Sequence, residues 1–588
     1  MKIILFLFWL GILFIIQTNA QQVLSHFLSP AEQEEFKTYN LPLSLSGITV
    51  PPGGSLRTAA EWEEIESIVI TWAGYADILT EIVRHSIPEC EVIIITGNET
   101  QVRTYLETKN IDPDDPHITY LIRPYNSVWV RDYGQWCVYR NDVDSLLMVD
   151  WIYNRPRPKD DTIPAGIAEL KGFSLYQTIA SPYHLVNTGG NFMCDGMGTA
   201  FDSELVLVEN TQSYYAEHDI PGEGHNYTAI ANILSDFMGI DRLITMPVLP
   251  YDGIHHIDMH MKLLDEETLL VGQYPEGVAD GPQIEANLQY ILDNYNSAFG
   301  TPYKVVRIPM PPDNGYFPNT IGSYRTYANN VFMNKTVLVP TYEEQFDTIG
   351  LRILRENLPG YNVVGIDCND IIPAGGALHC ITKDVMVADP LRIIHQPLDA
   401  QLEADAYELH AIIQHSSGIA AATIHYTGDV AAGFIAAPLS YSGADDIWSG
   451  EIAGIPGAEK IYYYLSATAL SGKEMSRPIT APGGYYSFNI EAVSGVNETA
   501  RIEAFTVQAI YPNPASAITV IPAQFPVATD VEINLLDMSG RLVKRIASEK
   551  VMAGNHHFFL HCEYIIPSSY IVEIKSHSGA VRQKLMVK

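Results

Sequence analysis

Between about residues 67 and 389 short β-rich runs alternate with helix-like stretches, and this pattern restricts the fold more than any other feature. The strand-like runs are "SIVITW", "EVIIIT", "ITYLIRP", "RLITMPV", "HMKLLD", "TLLVGQYP", "KVVRIPM", "TVLVPTY", "YNVVGID" and "VMVADP". Helix-like stretches at 75–84, 283–299 and 343–357 fall between them. Strands interleaved with helices predict an α/β fold. The runs outnumber what one doubly wound sheet needs, which favours a radial or barrel-like arrangement.

The chain is 588 residues long and 47% hydrophobic, enough for roughly three or four domains with sizeable cores. After about residue 403 the texture changes to Ala-, Gly-, Ser- and Tyr-rich alternation ("AATIHY", "AGFIAAPLS", "KIYYYLSAT", "YYSFNI"). This predicts a β-sandwich of immunoglobulin type. A further small all-β module opens at "IYPNPAS" and closes with "SYIVEIKSHSGAVRQKLMVK"; "MSG" between its strand-like runs marks a hairpin turn. At the other end, "MKIILFLFWLGILFIIQTNA" has one lysine, an apolar run short for a bilayer span, and a polar end at Ala20. It reads as a secretory signal peptide over residues 1–20.

Thirty-five basic residues stand against 69 acidic ones, a net charge of −34. Such a surface excludes nucleic acid as a partner class and steers cationic substrates inward. The six cysteines are scattered, with no CxxC pair and no zinc spacing. No metal or other cofactor is called for.

Four segments carry unusual polar groups. In "VWVRDYGQW" Asp132 lies in an aromatic, strand-like run beside Arg131; it reads either as half of an ion pair at a strand edge or as a functional carboxylate. In "YNRPRPKDD" two prolines stiffen the presentation of Arg155 and Arg157. In an extended backbone the two guanidinium groups point the same way, as recognition of a carboxylate requires; a solvated charge run is the other reading. In "GIHHIDMH" His256 and Asp258 share one face of a strand, and HExxH spacing is absent. In "GALHC" Cys380 follows a run of small residues. A structural cysteine needs no such approach, whereas a nucleophile meeting a bulky substrate does.

One cysteine, one histidine and two aspartates suit hydrolysis of a guanidinium. Carboxylates clamp its nitrogens, a thiolate attacks the central carbon, and a histidine protonates departing ammonia and then deprotonates water. A cysteine protease would instead need Cys–His–Asn and an oxyanion hole.

"VWVRDYGQW", "NTGGNFMCDGMGTAF", "IHHIDMH", "TYANN" and "GALHC", taken together over roughly residues 50–395, resemble the agmatine deiminase superfamily and most of all its bacterial peptidylarginine deiminase branch. The resemblance implies a five-bladed α/β propeller, the pentein fold. It implies Cys380 as nucleophile, His256 as acid/base, Asp132 and Asp258 as guanidinium-binding carboxylates and Asn329 as an active-site asparagine. Arg155 and Arg157 would receive a substrate's C-terminal carboxylate, and Trp129 would line the channel. His255 stands where the family pattern has an aspartate. The tail ("YPNPAS", "LLDMSGRLV", "YIVEI") is similar to the type IX secretion C-terminal sorting domain, with Ser569 replacing a usual glycine. The sandwich resembles the immunoglobulin-like domain found beside it in exported enzymes.

The expected organisation is signal peptide 1–20, deiminase domain 21–405, immunoglobulin-like sandwich 406–500 and sorting domain 501–588. The expected activity is deimination of arginine in peptides and proteins, preferably at the C-terminus, by a protein that engages the type IX secretion machinery and resides outside, or on the outer membrane of, a Gram-negative cell. The rivals are an agmatine deiminase, for which Arg155 and Arg157 would lack a purpose, and a surface adhesin on a deiminase scaffold.

Overall fold

The structure is a computed structural model that describes residues 23–41, 46–443, 445–491, 505–515, 518–538, 540–562 and 564–588. The signal peptide expected at 1–20 lies outside the described residues. Among the described residues no helix is long and apolar enough to cross a membrane.

All ten strand-like runs form strands. Between Leu56 and Met386 the strands build five separate sheets of three or four strands each. One local plan recurs. A short strand pairs antiparallel with the next, a helix crosses over, and a third strand returns parallel, as a parallel return requires. Thus Met261–Leu263 pairs with Thr268–Gln273, helix Gly281–Asn294 follows, and Lys304–Pro309 adds in parallel. Val331–Met333, Thr336–Thr341, helix Glu344–Asn357 and Asn362–Asp367 repeat this order. So do Phe192–Cys194, Thr199–Ser203, helix Tyr227–Met238 and Arg242–Met246.

Of the two remaining units, one runs from Leu56–Thr58 through Trp136–Arg140 and Ser145–Asp150 to Ser174–Gln177, and the other joins distant parts of the chain. Lys383–Met386 pairs antiparallel with Ile65–Thr71, which pairs in parallel with Glu91–Thr96 after helix Ala76–Ser86. Ile65–Thr71 and Glu91–Thr96 read IESIVIT and EVIIIT, and nearly every residue is buried. This is the continuous apolar signature of strands covered on both faces. The closing strand carries Cys380 just ahead of it, so the pairing fixes that residue against the opposite end of the unit.

Arg392–Glu491 forms an all-β unit with its own apolar core. In Lys460–Ala469 every second residue, from Ile461 through Tyr463 and Leu465, is buried, the period of a strand with one covered face. The C-terminal module has two sheets around a third core. Its hairpin joins Thr529–Asp537 to Leu542–Val551, with Gly540 in the left-handed region (φ 85°). The modules pack on the first unit: Arg477 pairs with Glu266 at 2.6 Å, and the Arg352 guanidinium lies 3.3 Å from the Tyr511 ring centre.

Candidate active site

Each of the five sheets has one antiparallel-paired strand with a residue of the site a few positions ahead of it. Asp132 precedes Trp136–Arg140, Gly190 precedes Phe192–Cys194, Asp258 precedes Met261–Leu263, Asn329 precedes Val331–Met333 and Cys380 precedes Lys383–Met386. Residues far apart in sequence therefore meet through one repeated position in the fold.

Two expectations about local structure need correction. Asp132 lies in a short helix, Val130–Tyr133, not in a strand. His256 and Asp258 flank Ile257 at a 3-10 turn, Ile257–Met259, not along a strand. The aromatic and β-branched residues that suggest strand are buried here for tertiary reasons, which override local propensity. Arg131 does not pair with Asp132 either. It turns the other way, to Asp384 at 2.9 Å and Glu61 at 3.5 Å, and so leaves the Asp132 carboxylate free for the site.

Cys380, His256, Asp132, Asp258 and Asn329 are all buried. Asn329 donates through Nδ2 to Asp258 Oδ2 at 3.1 Å and to Cys380 Sγ at 3.2 Å, while its Oδ1 accepts from the His379 backbone N–H. Cys380 Sγ stands 3.6 Å from Asp258 Oδ2. His256 Nε2 is 2.9 Å from Thr188 Oγ1 and its Nδ1 faces Asp132 Oδ1 at 3.5 Å. Glycine makes the room. A Cβ at Gly376 would lie 2.9 Å from Cys380 Sγ and 2.8 Å from the Trp129 ring; one at Gly190 would lie 2.6 Å from His256 Nδ1. Both are closer than a Cβ tolerates, so the small-residue approach read from "GALHC" has a steric basis.

The charges are arranged around the thiol. Burial, then Asp258 and Asp132, push the Cys380 thiol well above its usual range. Burial lowers His256 to about 4, against the pull of Asp132, so the ring is neutral at pH 7. Burial would raise Asp132, but His26 and His256 outweigh it and hold the carboxyl low. Asp258 is likewise held low against burial, by its 2.7 Å hydrogen bond to His379. Two buried carboxylates beside a neutral histidine and a protonated thiol form a site that favours a cation.

Trp129 is fully buried at the site. Arg155 and Arg157 do not form the parallel pair expected of an extended backbone. The Arg157 N–H donates to the Arg155 carbonyl in a tight turn. Arg157 is buried and bonds Glu32 at 3.0 Å. Arg155 is half-buried, with its charge acting on Asp132, His256 and Glu209. His255, in the left-handed region at φ 65°, takes no part in the hydrogen bonds at Cys380.

Sequence reasoning gave His379 no role and missed Glu61, Thr188 and His26. His379 bridges Asp258 and, through Nε2 at 2.8 Å, Glu61; Glu61 also pairs with Lys262. Thr188 orients His256. His26 sits in the site itself, with Nε2 at 2.5 Å from Asp132 Oδ2 and its ring stacked on Trp129 at 4.5 Å. "LHC" did place a histidine beside the cysteine; Glu61 and His26 lie too far away in sequence to be linked to it.

The sequence model of the family described as Porphyromonas-type peptidyl-arginine deiminase matches residues 57–385, and that of the secretion system C-terminal sorting domain matches residues 509–588. A provisionally named agmatine deiminase of Vibrio parahaemolyticus is 22% identical over 344 residues, 54% of this chain and 87% of that protein. Another from Lactococcus lactis is 26% identical over 287 residues, 44% of this chain and 74% of that protein. Among solved structures, a provisionally named arginine deiminase from Porphyromonas gingivalis is 22% identical, covers 56% of this chain and 98% of its own, and has a TM-score of 0.49.

Proposed function

Because the chain belongs to the Porphyromonas-type peptidyl-arginine deiminase family, we propose that it hydrolyses arginine side chains of peptides and proteins, by preference at a peptide C-terminus, to citrulline and ammonia. Membership makes it a deiminase of the arginine/agmatine type, a hydrolase of amidine C–N bonds. The type IX sorting domain makes it a secreted or cell-surface protein that engages that secretion machinery. The finer readings are ours: substrate, covalent mechanism, attachment to the outer membrane, five blades closed by Lys383–Met386 on Ile65–Thr71, and an immunoglobulin-like middle unit.

The observation that carries the activity is the pair of buried carboxylates, Asp132 and Asp258, on either side of the chemistry of Cys380 and His256. A guanidinium held by both brings a positive charge to the thiol, which offsets the two anions and favours the thiolate. The thiol proton passes to His256. Cys380 Sγ then bonds to the central carbon, the C–N bond breaks, and His256 returns the proton to departing ammonia. A water, deprotonated by His256, attacks the cationic thioether carbon. The C–S bond breaks, the thiolate is restored, and the ureido group of citrulline remains. Asn329 holds Asp258 and the sulfur in register through one amide.

Arg157, with Arg155 beside it, is the group we assign to the substrate carboxylate. The test is release of ammonia and citrulline from five compounds: one peptide with C-terminal arginine as acid and as amide, a peptide with internal arginine, free arginine and agmatine. The free-acid peptide should be turned over fastest. Agmatine turned over faster than every arginine peptide would replace this reading with the agmatine one, which the names of the two relatives favour.

A further inference from the structure

The guanidinium site is already filled, by the chain's own N-terminal segment. The His26 ring stacks on Trp129 with an interplanar angle of 8°. Its Nε2 is 2.5 Å from Asp132 Oδ2 and its Nδ1 is 2.9 Å from the Gly375 carbonyl. Both oxygens are acceptors, and the two ring nitrogens stand where a guanidinium would place two of its N–H donors. A flat, delocalised ring against an indole face and a buried carboxylate takes the place that a guanidinium would take there.

The flanking backbone follows the substrate groups too. Trp129 Nε1 donates to the Leu24 carbonyl at 3.0 Å. Arg157 donates from Nη2 to the Ser25 carbonyl at 2.6 Å and from Nε to Glu32. It thus holds a carbonyl and a carboxylate of the segment where we place the substrate carboxylate. The groove is shaped for this segment by glycine. A Cβ at Gly74 would lie 2.6 Å from Val23, and one at Gly375 would lie 2.7 Å from Phe27. The His26 N–H and the Ser25 hydroxyl both donate to the Ala374 carbonyl. Beyond the groove, Ser29 caps the helix Pro30–Phe36 in a box with Glu32, the same Glu32 that meets Arg157.

The fit is incomplete in one respect. Asp132 Oδ1, Asp258 Oδ1 and His256 Nδ1 are buried without a hydrogen-bond partner. Buried acceptors without donors are costly, and a guanidinium has five N–H donors where an imidazolium has two. A true substrate therefore makes contacts that the segment cannot.

We propose that residues 23–36 are an intramolecular, substrate-mimicking inhibitor, so that the intact chain is latent and gains full access to guanidinium substrates when this strap is displaced or removed. The proposal rests on the guanidinium site assigned above. It is distinct from that reading because it concerns who occupies the site, not what the site does.

The test compares the full chain with His26→Ala and, separately, with Glu32→Ala, which removes the Glu32 side-chain half of the capping box and the Arg157 contact without touching the reacting groups. Two readouts are taken. One is calorimetric affinity for a C-terminal arginine peptide, measured with Cys380→Ser in each background. The other is KM and kcat for ammonia release with Cys380 present. We expect at least a tenfold gain in affinity and a matching fall in KM in both variants, with kcat not reduced. A synthetic peptide of residues 23–37 should then compete with the substrate in the His26→Ala chain. A merely structural role for His26 would weaken binding and lower the melting temperature instead. Affinity within twofold of the parent in both variants, or below it, overturns the strap while leaving the deiminase reading intact if ammonia is released. A gain in affinity without ammonia from any form supports the strap and sinks the deiminase reading. Binding to no form overturns both.

Discussion

Replacing Asp132 by asparagine should slow guanidinium turnover and, at the same time, make the thiol more reactive towards a neutral reagent. The side chain is almost fully buried; one oxygen lies 2.5 Å from the flat His26 ring and the other accepts no hydrogen bond. With His26 removed, both oxygens are available to a substrate. Asparagine keeps the volume and one acceptor but loses the charge. A hydrogen bond to a charged group contributes about 1.5–3 kcal/mol, and about 1.4 kcal/mol is a factor of ten. The expected loss in kcat/KM is thus roughly 10- to 150-fold. The same change removes one of the two anions that hold the Cys380 thiol high, so its titration moves to lower pH. Both effects are best read in the His26→Ala chain, where the strap cannot mask the site. Ammonia release gives the first, and the pH dependence of alkylation by iodoacetamide gives the second. A fall in turnover of less than threefold, or an alkylation profile that stays put or moves to higher pH, refutes the reasoning.

Three further outcomes are expected. In the His26→Ala chain, where release of the strap adds nothing further, replacing Arg155 and Arg157 together by alanine should lower kcat/KM for C-terminal arginine peptides by roughly a hundredfold and leave agmatine and the amidated peptide nearly unchanged; a double variant that still prefers the free acid assigns the carboxylate to other groups. Glu61→Gln should cost about 3–5 kcal/mol of stability at pH 7, because it leaves Lys262 and Arg131 short of their buried partner. Burial opposes ionisation of Glu61, but His379, Lys262 and Arg131 hold its carboxyl well below 4.5, so this contribution is complete above that pH and fades as the pH falls towards the folded-state value; denaturant curves at pH 7 and pH 4 check both points, and a pH-independent difference contradicts them. A chain ending near Val507 should keep its deiminase activity yet fail to reach the cell surface, and normal surface delivery of that form would remove the sorting role from residues 509–588.

The strands were legible because their signal is local. IVIT and EVIIIT alternate with nothing and are apolar on both faces, which only a covered sheet explains. The recurrence of hairpin, helix and parallel strand was not legible, since the repeated units share a plan and not a sequence. Cys380, Asp258 and Asn329 could be singled out from their motifs, and they meet. Asp132 was singled out on the wrong backbone, because valine, tryptophan and tyrosine suggest strand wherever they are buried. Arg155 and Arg157 were read as equivalent from their spacing; the Arg157–Arg155 turn separates them, and turn geometry is set by contacts distant in sequence. His26 carried no signal at all. A lone histidine near the N-terminus becomes informative only when folding brings it to Trp129 and Asp132.

The account stands or falls on a covalent bond at Cys380. The direct measurement is to quench the protein with acid during turnover of a C-terminal arginine peptide and to weigh the intact chain and its Cys380 fragment. The account predicts an added mass equal to the substrate less ammonia, confined to Cys380, and its complete loss together with citrulline formation in Cys380→Ala. Citrulline formed by Cys380→Ala at close to the parental rate, with the fold retained, would contradict it.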